Sequence, residues 1–175
     1  MEFTRIAGAA FAAAIGYGIL HNQITVRLCA EYFTLGHPAI FPFSSAAAIA
    51  LGWGLLATGW LGAPLGFLLA AICRNGRRPA LGLRDIAGPL GLLLLTTSFL
   101  AIAAGIVGFG LAESGRLGLG GETATRVPEA IQSRYLAARC AHGTSYIAGL
   151  LGSLLLLLAA WRRRRKLSRG VHPTG

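Results

Sequence analysis

Between Pro89 and Ala112 the chain reads PLGLLLLTTSFLAIAAGIVGFGLA, 24 residues without a charge. As a helix this run would extend about 36 Å, enough to cross the ~30 Å hydrocarbon core of a bilayer. A proline opens it, where a missing N–H belongs to the unpaired first turn anyway. Inside, only Thr96, Thr97 and Ser98 are polar. The run reads as a membrane span, and the rest of the chain can be searched for companions.

Three more apolar runs appear. Upstream, residues 45–73 would make a helix of about 43 Å, longer than one crossing needs; Pro64, framed by Gly62 and Gly66, is the expected kink. Further upstream, IAGAAFAAAIGYGIL (6–20) is short and must borrow from its flanks. It is either a retained helix or a cleaved signal peptide. Retention is the expectation, because Glu2 interrupts the charge pattern of a leader and cleavage would fall inside AGAAFAAA. Downstream, residues 145–161 end in Trp161, an indole suited to the headgroup level, followed by four arginines. Spans are thus expected at about 5–22, 45–73, 89–112 and 145–161. They form one transmembrane domain, 1–161, with a basic tail at 162–175. The predicted class is all-α: a polytopic four-helix transmembrane bundle with two polar extracytoplasmic loops.

Composition agrees. The chain is 54% hydrophobic and 13% charged, with a mean hydropathy of +0.62; soluble domains carry about 25% charged residues. The 25 glycines suit membrane helices, where small residues let backbones approach. The net charge of +10 comes largely from two runs flanking apolar segments, RNGRRP (74–79) and RRRRKLSR (162–169). These read as topology anchors and attractors of anionic lipid headgroups. No aromatic–basic interleaving accompanies them, and nucleic acid is not expected as a partner.

Charge also sets orientation. Arg5, Arg74, Arg77, Arg78, Arg84, Arg162, Arg163, Arg164, Arg165, Lys166 and Arg169 fall on one side, against Arg27, Arg116, Arg126, Arg134 and Arg139 on the other. Positive-inside then puts both termini in the cytoplasm and loops 21–44 and 113–144 outside.

Loop one carries HNQITVRLCAEYFTLGHP (21–38), a dense polar stretch beside an apolar span. Alternation over Ile24–Phe33 permits an extended segment. The competing reading, slightly favoured, continues the first helix outward with Arg27 and Glu31 paired at i, i+4 and ends it at Gly36–Pro38. Loop two opens with glycine-rich ESGRLGLGGET, expected to be mobile. A helix then begins at Pro128–Glu129, predicted to lie at the interface and pass through Gly143 into the last span.

Both outer loops bring cysteine and histidine to one face. Cys29 and Cys140 would form a disulfide in an oxidising compartment, or remain separate thiols. His21, Glu31, His37 and His142 have ligand types suited to a metal ion, although no compact spacing supports it. A haem on His21 and His142 is a weaker idea. For hydrolysis, Ser44, Ser45, Thr144 and Ser145 lie near His142 in sequence without a nucleophile elbow. Arg27 and Glu31, met by Arg134 or Arg139, would more simply be an ion-pair network. The spans lack interior charge, which disfavours a self-contained transporter.

The stretch resembles the signature of an uncharacterised family of small bacterial membrane proteins, H-[DN]-Q-[IV]-T-x-R-x-C-x-E-Y-F-T-x-G-H-P. His21, Asn22, Gln23, Thr25, Arg27, Cys29, Glu31, Tyr32, Phe33, Thr34, Gly36, His37 and Pro38 match it, with Asn22 where the family favours Asp. LGWGLLATGW in the second span and the VPEA region before the fourth are similar too. The resemblance implies four spans in a bacterial inner membrane and a polar outer face; it brings no activity. Two function classes follow. One is a membrane protein whose outer loops bind a ligand or partner, including a second copy, through His21, Asn22, Gln23, Arg27, Glu31, His37 and His142. The other is a metal- or thiol-dependent enzyme at the same face.

Overall fold

In a computed structural model, residues 1–170 are described, and their regular elements are all helical. The last five residues of the basic tail expected at 162–175 lie outside them. The helices are α1 (Glu2–Leu28), the single turn α2 (Glu31–Thr34), α3 (Ala46–Arg74), α4 (Leu83–Glu113), the short α5 (Gly121–Arg126) and α6 (Gln132–Gly170), with a 3-10 turn at Glu129–Ile131 before the last. Four of them, α1, α3, α4 and α6, are long and apolar enough to cross a membrane.

α1, α4 and α6 outrun their predicted spans, while α3 matches its own to within a residue at each end. α4 starts at Leu83 rather than at Pro89, because its first turn is capped from elsewhere. The Asp85 carboxylate accepts the Gly82 N–H at 2.9 Å, and Glu2 of α1 accepts the Leu83 N–H at 3.1 Å. Carboxylates at a helix N-terminus satisfy unpaired N–H groups and oppose the helix dipole. Pro89 is therefore an interior residue, and its missing N–H frees the Asp85 carbonyl four residues back. Arg163 of α6 occupies that position, donating to the Asp85 carbonyl at 3.2 Å and to its carboxylate at 2.5 Å.

The interfacial helix and fourth span expected on either side of Gly143 are one helix of 39 residues, about 58 Å long. A helical glycine costs about 1 kcal/mol. Here the turn just before it is held by packing: Ala141 lies against Gly105 of α4, and His142 against Thr25 of α1. The same helix carries Arg162–Arg169 onward without a break.

The bundle is two tightly packed pairs, α1 with α3 and α4 with α6. In the first pair the predicted Gly62 and Gly66 do meet a partner helix. A β-carbon would lie 2.7 Å from Ala14 Cβ at Gly62, and 2.9 Å from the Ala7 carbonyl oxygen at Gly66. With Gly54 and Thr58 they form an i, i+4 stripe along α3 facing Ala7, Ala14 and Gly18. In the second pair Cys140 lies against Gly108.

At one end, the clasp end, Ile6, Leu69, Cys73, Leu81, Ile86 and Ala160 form a core shared by all four long helices. Above it lies Arg164, read from sequence as one of a run of headgroup anchors. It is 4% exposed and turned inward. Its guanidinium donates to the carbonyls of Asn75 (2.8 Å), Arg78 (2.7 Å), Pro79 (2.8 Å) and Ile72. α3 ends at Arg74, so the Ile72 carbonyl is one that its own helix cannot pair. Arg164 caps that helix and the following loop from a distance.

Candidate functional site

The opposite end carries the polar stretch 21–38. α1 stays helical through its first eight residues and breaks at Cys29, where the backbone turns extended (φ −153°). The helical reading was right as far as Leu28, but the Arg27–Glu31 pair does not form. Arg27 instead donates to the Gln23 carbonyl, and Glu31 accepts from the Cys29 thiol at 3.6 Å. Among the described residues the ion pairs are Glu2–Arg5, Glu122–Arg126 and Asp85–Arg163, so Arg134 and Arg139 join no outer network.

Five residues of the stretch, Asn22, Thr25, Val26, Cys29 and Phe33, are buried. The Asn22 side-chain amide donates to the Ala50 carbonyl at 3.0 Å, and that of Gln23 to the Ala47 carbonyl at 2.9 Å. Both bind α1 to the start of α3; Asn22 is buried there, whereas Gln23 stays part-exposed. Asn22 acts as a donor, a role that an ionised carboxylate could not fill. The Thr25 hydroxyl donates to the His21 carbonyl at 2.9 Å, which leaves it to accept from His142 Nε2 at 3.2 Å. His142 therefore carries its proton on Nε2.

His142 is 3% exposed and sits among aromatic rings. Its ring centroid is 4.4 Å from that of His21 and 4.5 Å from that of Tyr32. His21 stacks on Tyr17, one turn further into the bundle, at 5.6 Å. Tyr32 also packs on His37, whose Nδ1–H donates to the Tyr32 carbonyl at 2.9 Å. Trp53 of α3 lies beyond His37 at 4.8 Å, and Phe33, 2% exposed, closes the layer. Gly36 makes the return possible, since a β-carbon there would run into the Tyr32 carbonyl and the Tyr135 hydroxyl. Two buried donors or acceptors have no partner among the described residues, His21 Nε2 and Trp53 Nε1.

The two loops fold onto each other as a cap. Cys29 packs with Val127, Tyr135 and Ala138. In loop two the glycine-rich run leads into α5, and Gln132 ties that turn to α6 through the carbonyls of Ala124 and Val127.

Electrostatics keep this layer neutral. Burial pushes the Tyr32 phenol well above its ordinary range and the Cys29 thiol upward, and lowers His37 despite its bond to the Tyr32 carbonyl. A thiol pushed upward is a poor nucleophile.

Several expectations are corrected here. Cys29 and Cys140 are free thiols on different faces of the assembly, one under the cap and the other against Gly108 of α4. His21, Glu31, His37 and His142 do not converge as a metal donor set. Glu31 turns to the Cys29 thiol, and no group of three such donors forms among the described residues. His21 and His142 pack edge to face on each other rather than across a haem-sized gap. His142 is spent on Thr25 and activates no serine.

Sequence reasoning passed over what lies beneath the cap. Between the two helix pairs is a cavity of about 130 Å³. Its walls include Ala14 of α1, Gly62 and Leu65 of α3, Leu93 of α4, and Gly149 and Leu157 of α6. At the cap end its rim is the Tyr17 hydroxyl, hydrogen-bonded to Ser145 at 2.8 Å, with Tyr146 alongside. One signal was available: Tyr17 is the one phenol in an otherwise small and apolar first span.

Comparison with protein-family models, curated proteins and solved structures finds no match for this chain, so its site is read from its own geometry.

Proposed function

We propose that this chain is a multi-pass protein of the bacterial inner membrane, with both termini in the cytoplasm, that holds a small ligand inside its helix bundle. The capped end is the outer face. Loops 21–44 and 113–144 serve as a lid over the binding site rather than as a display surface. The observation that carries the reading is the Tyr17–Ser145 hydroxyl pair at the head of the 130 Å³ cavity. Cavities of about this size, when lined by apolar groups, take up small apolar molecules. The uneven basic residues support the orientation, since the capped end holds five of sixteen. At the clasp end, Arg162, Arg165, Lys166 and Arg169 are exposed and suit anionic headgroups, whereas Arg164 and Arg163 are engaged within the protein.

The test is mass spectrometry of organic extracts from detergent-purified protein, comparing wild type with Gly149→Leu. Gly149 lines the cavity, and a β-carbon there meets no neighbouring atom within 4 Å, so the larger side chain grows into empty space. A compound retained by wild type and lost from the variant supports the reading. Identical extracts overturn it.

A further inference from the structure

We infer that the ligand comes from the bilayer: a single-chain amphiphile with an uncharged hydrogen-bonding head, its tail in the cavity and its head at Tyr17 and Ser145. The inference rests on the proposal that the cavity is a binding site, and adds the ligand's class and route.

The route follows from what closes each end. Toward the cap, the cavity stops at Tyr17, Ser145 and Tyr146, and beyond these lie the buried rings of His142 and Phe33. Toward the clasp end it meets the core of Ile6, Leu69 and Cys73, each at most 2% exposed. Water-borne molecules would have to cross one plug or the other. The remaining way in is sideways, between the α1–α3 pair and the α4–α6 pair. Each pair is locked internally by small residues, and the cavity lies at the seam between them.

The shape selects one chain. Along α6 the wall runs from Ser145 to Leu157, twelve residues on, or about 18 Å. A slot that long enclosing 130 Å³ is one hydrocarbon chain wide, too narrow for two. Tyr17, Ser145 and Tyr146 stand at its cap end, while the Thr58 and Ser153 hydroxyls further down are spent on the Gly54 and Gly149 carbonyls of their own helices. Leu69, Leu90, Leu156 and Leu157 line the clasp end, so the slot has the polarity of a lipid in the leaflet nearest the cap.

The rim selects the head. Two hydroxyls share one hydrogen bond, which leaves one O–H free to donate and oxygen lone pairs free to accept. No Asp, Glu, Lys, Arg or His lines the cavity. A carboxylate or phosphate head would be buried without a counter-charge, at a large desolvation penalty. An alcohol, or the ester carbonyl of a monoacyl glyceride, is matched. The His21 nitrogen without a partner lies one turn beyond Tyr17, where a longer neutral head would reach.

The experiment is photo-crosslinking of the full chain in phosphatidylcholine vesicles with three probes. These are a monoacylglycerol with a diazirine in its tail, the fatty acid of the same tail, and a short water-soluble diazirine phenol. Cross-links are mapped to the cavity-wall peptides 90–97 and 145–157. The expected result is labelling by the monoacylglycerol at least tenfold above the fatty acid. It should fall at least tenfold in Gly149→Leu, and also in the less invasive pair Tyr17→Phe with Ser145→Ala. Equal labelling by fatty acid and monoacylglycerol overturns the neutral head. Wall labelling by the aqueous phenol alone overturns the bilayer route while leaving a binding cavity. Labelling by all probes that no variant changes overturns the inference and the binding reading together.

Discussion

Arg164 offers the sharpest test of how the fold is held. Replacing it by Met keeps much of the apolar stem and removes every donor to the carbonyls of Ile72, Asn75, Arg78 and Pro79. Hydrogen bonds to a charged group contribute about 1.5–3 kcal/mol each. The sum would overshoot, because water can reach the freed loop carbonyls and removing the guanidinium also removes its desolvation penalty. A net loss of about 3 kcal/mol in local stability is expected, roughly a hundredfold in the population of the opened form. Cys73 reports it, being 0% exposed in the core beside the clasp. Its alkylation by a membrane-permeant maleimide, followed by peptide mapping, should accelerate about a hundredfold in Arg164→Met where labelling follows local opening. Arg162→Met and Arg165→Met, altered at exposed positions, should stay near wild type. Arg164→Lys should fall between, since an ammonium keeps the charge but not the fork that spans four acceptors. Equal rates for the Met variants at 162, 164 and 165 would refute the clasp.

Other expectations follow from the same geometry. Gly66→Ala should lower the thermal midpoint, at about 1–3 kcal/mol, because its β-carbon meets a backbone oxygen that cannot give way. Gly149→Ala should raise it, by about 0.5–1 kcal/mol, because it removes a helical glycine in open space. Asn22→Ala should cost about 0.6–1.7 kcal/mol, the range for hydrogen bonds between membrane helices, read by unfolding in mixed micelles. His37 titrates below its ordinary 6.5 in the folded cap because burial disfavours its charged form. The unfolded chain therefore takes up a proton that the folded chain refuses as pH falls through that value. The His37 contribution should be constant above pH 6.5 and decline below it, and the thermal midpoint of His37→Gln should fall less over the same range. Denatured under non-reducing conditions, the protein should titrate three thiols; one thiol would mean that Cys29 and Cys140 are joined.

The four long helices were legible because apolar length is a property of each segment alone. Their ends were less so. Leu83 begins α4 partly because Glu2, 81 residues away, accepts its N–H, and no local pattern encodes that. Asn22 and Gln23 looked like ligand contacts because polar side chains near a bilayer surface suggest display; their acceptors are backbone carbonyls of Ala50 and Ala47, which any sequence would supply. The i, i+4 spacing of Arg27 and Glu31 was real, but the helix stops between them. The basic run concealed Arg164 in the same way, since composition makes its four arginines equivalent and only the fold separates the buried one. The cavity was invisible because it is defined by four helices at once.

The clasp also has a consequence for biogenesis. The carbonyls at 72–79 leave the ribosome 85 to 92 residues before the arginine that gathers them. The α1–α3 pair can close on its own small-residue stripe as soon as it is inserted, and Glu2 can already reach Leu83 at the start of α4, but the carbonyls at 72–79 stay without their donor until the end of α6 has been made. Locking of the whole bundle thus reports that synthesis has passed Arg164. A chain halted before that point would have all its apolar segments but lack the bolt, and its uncapped 75–79 segment would be the place for a cellular protease to recognise it as unfinished.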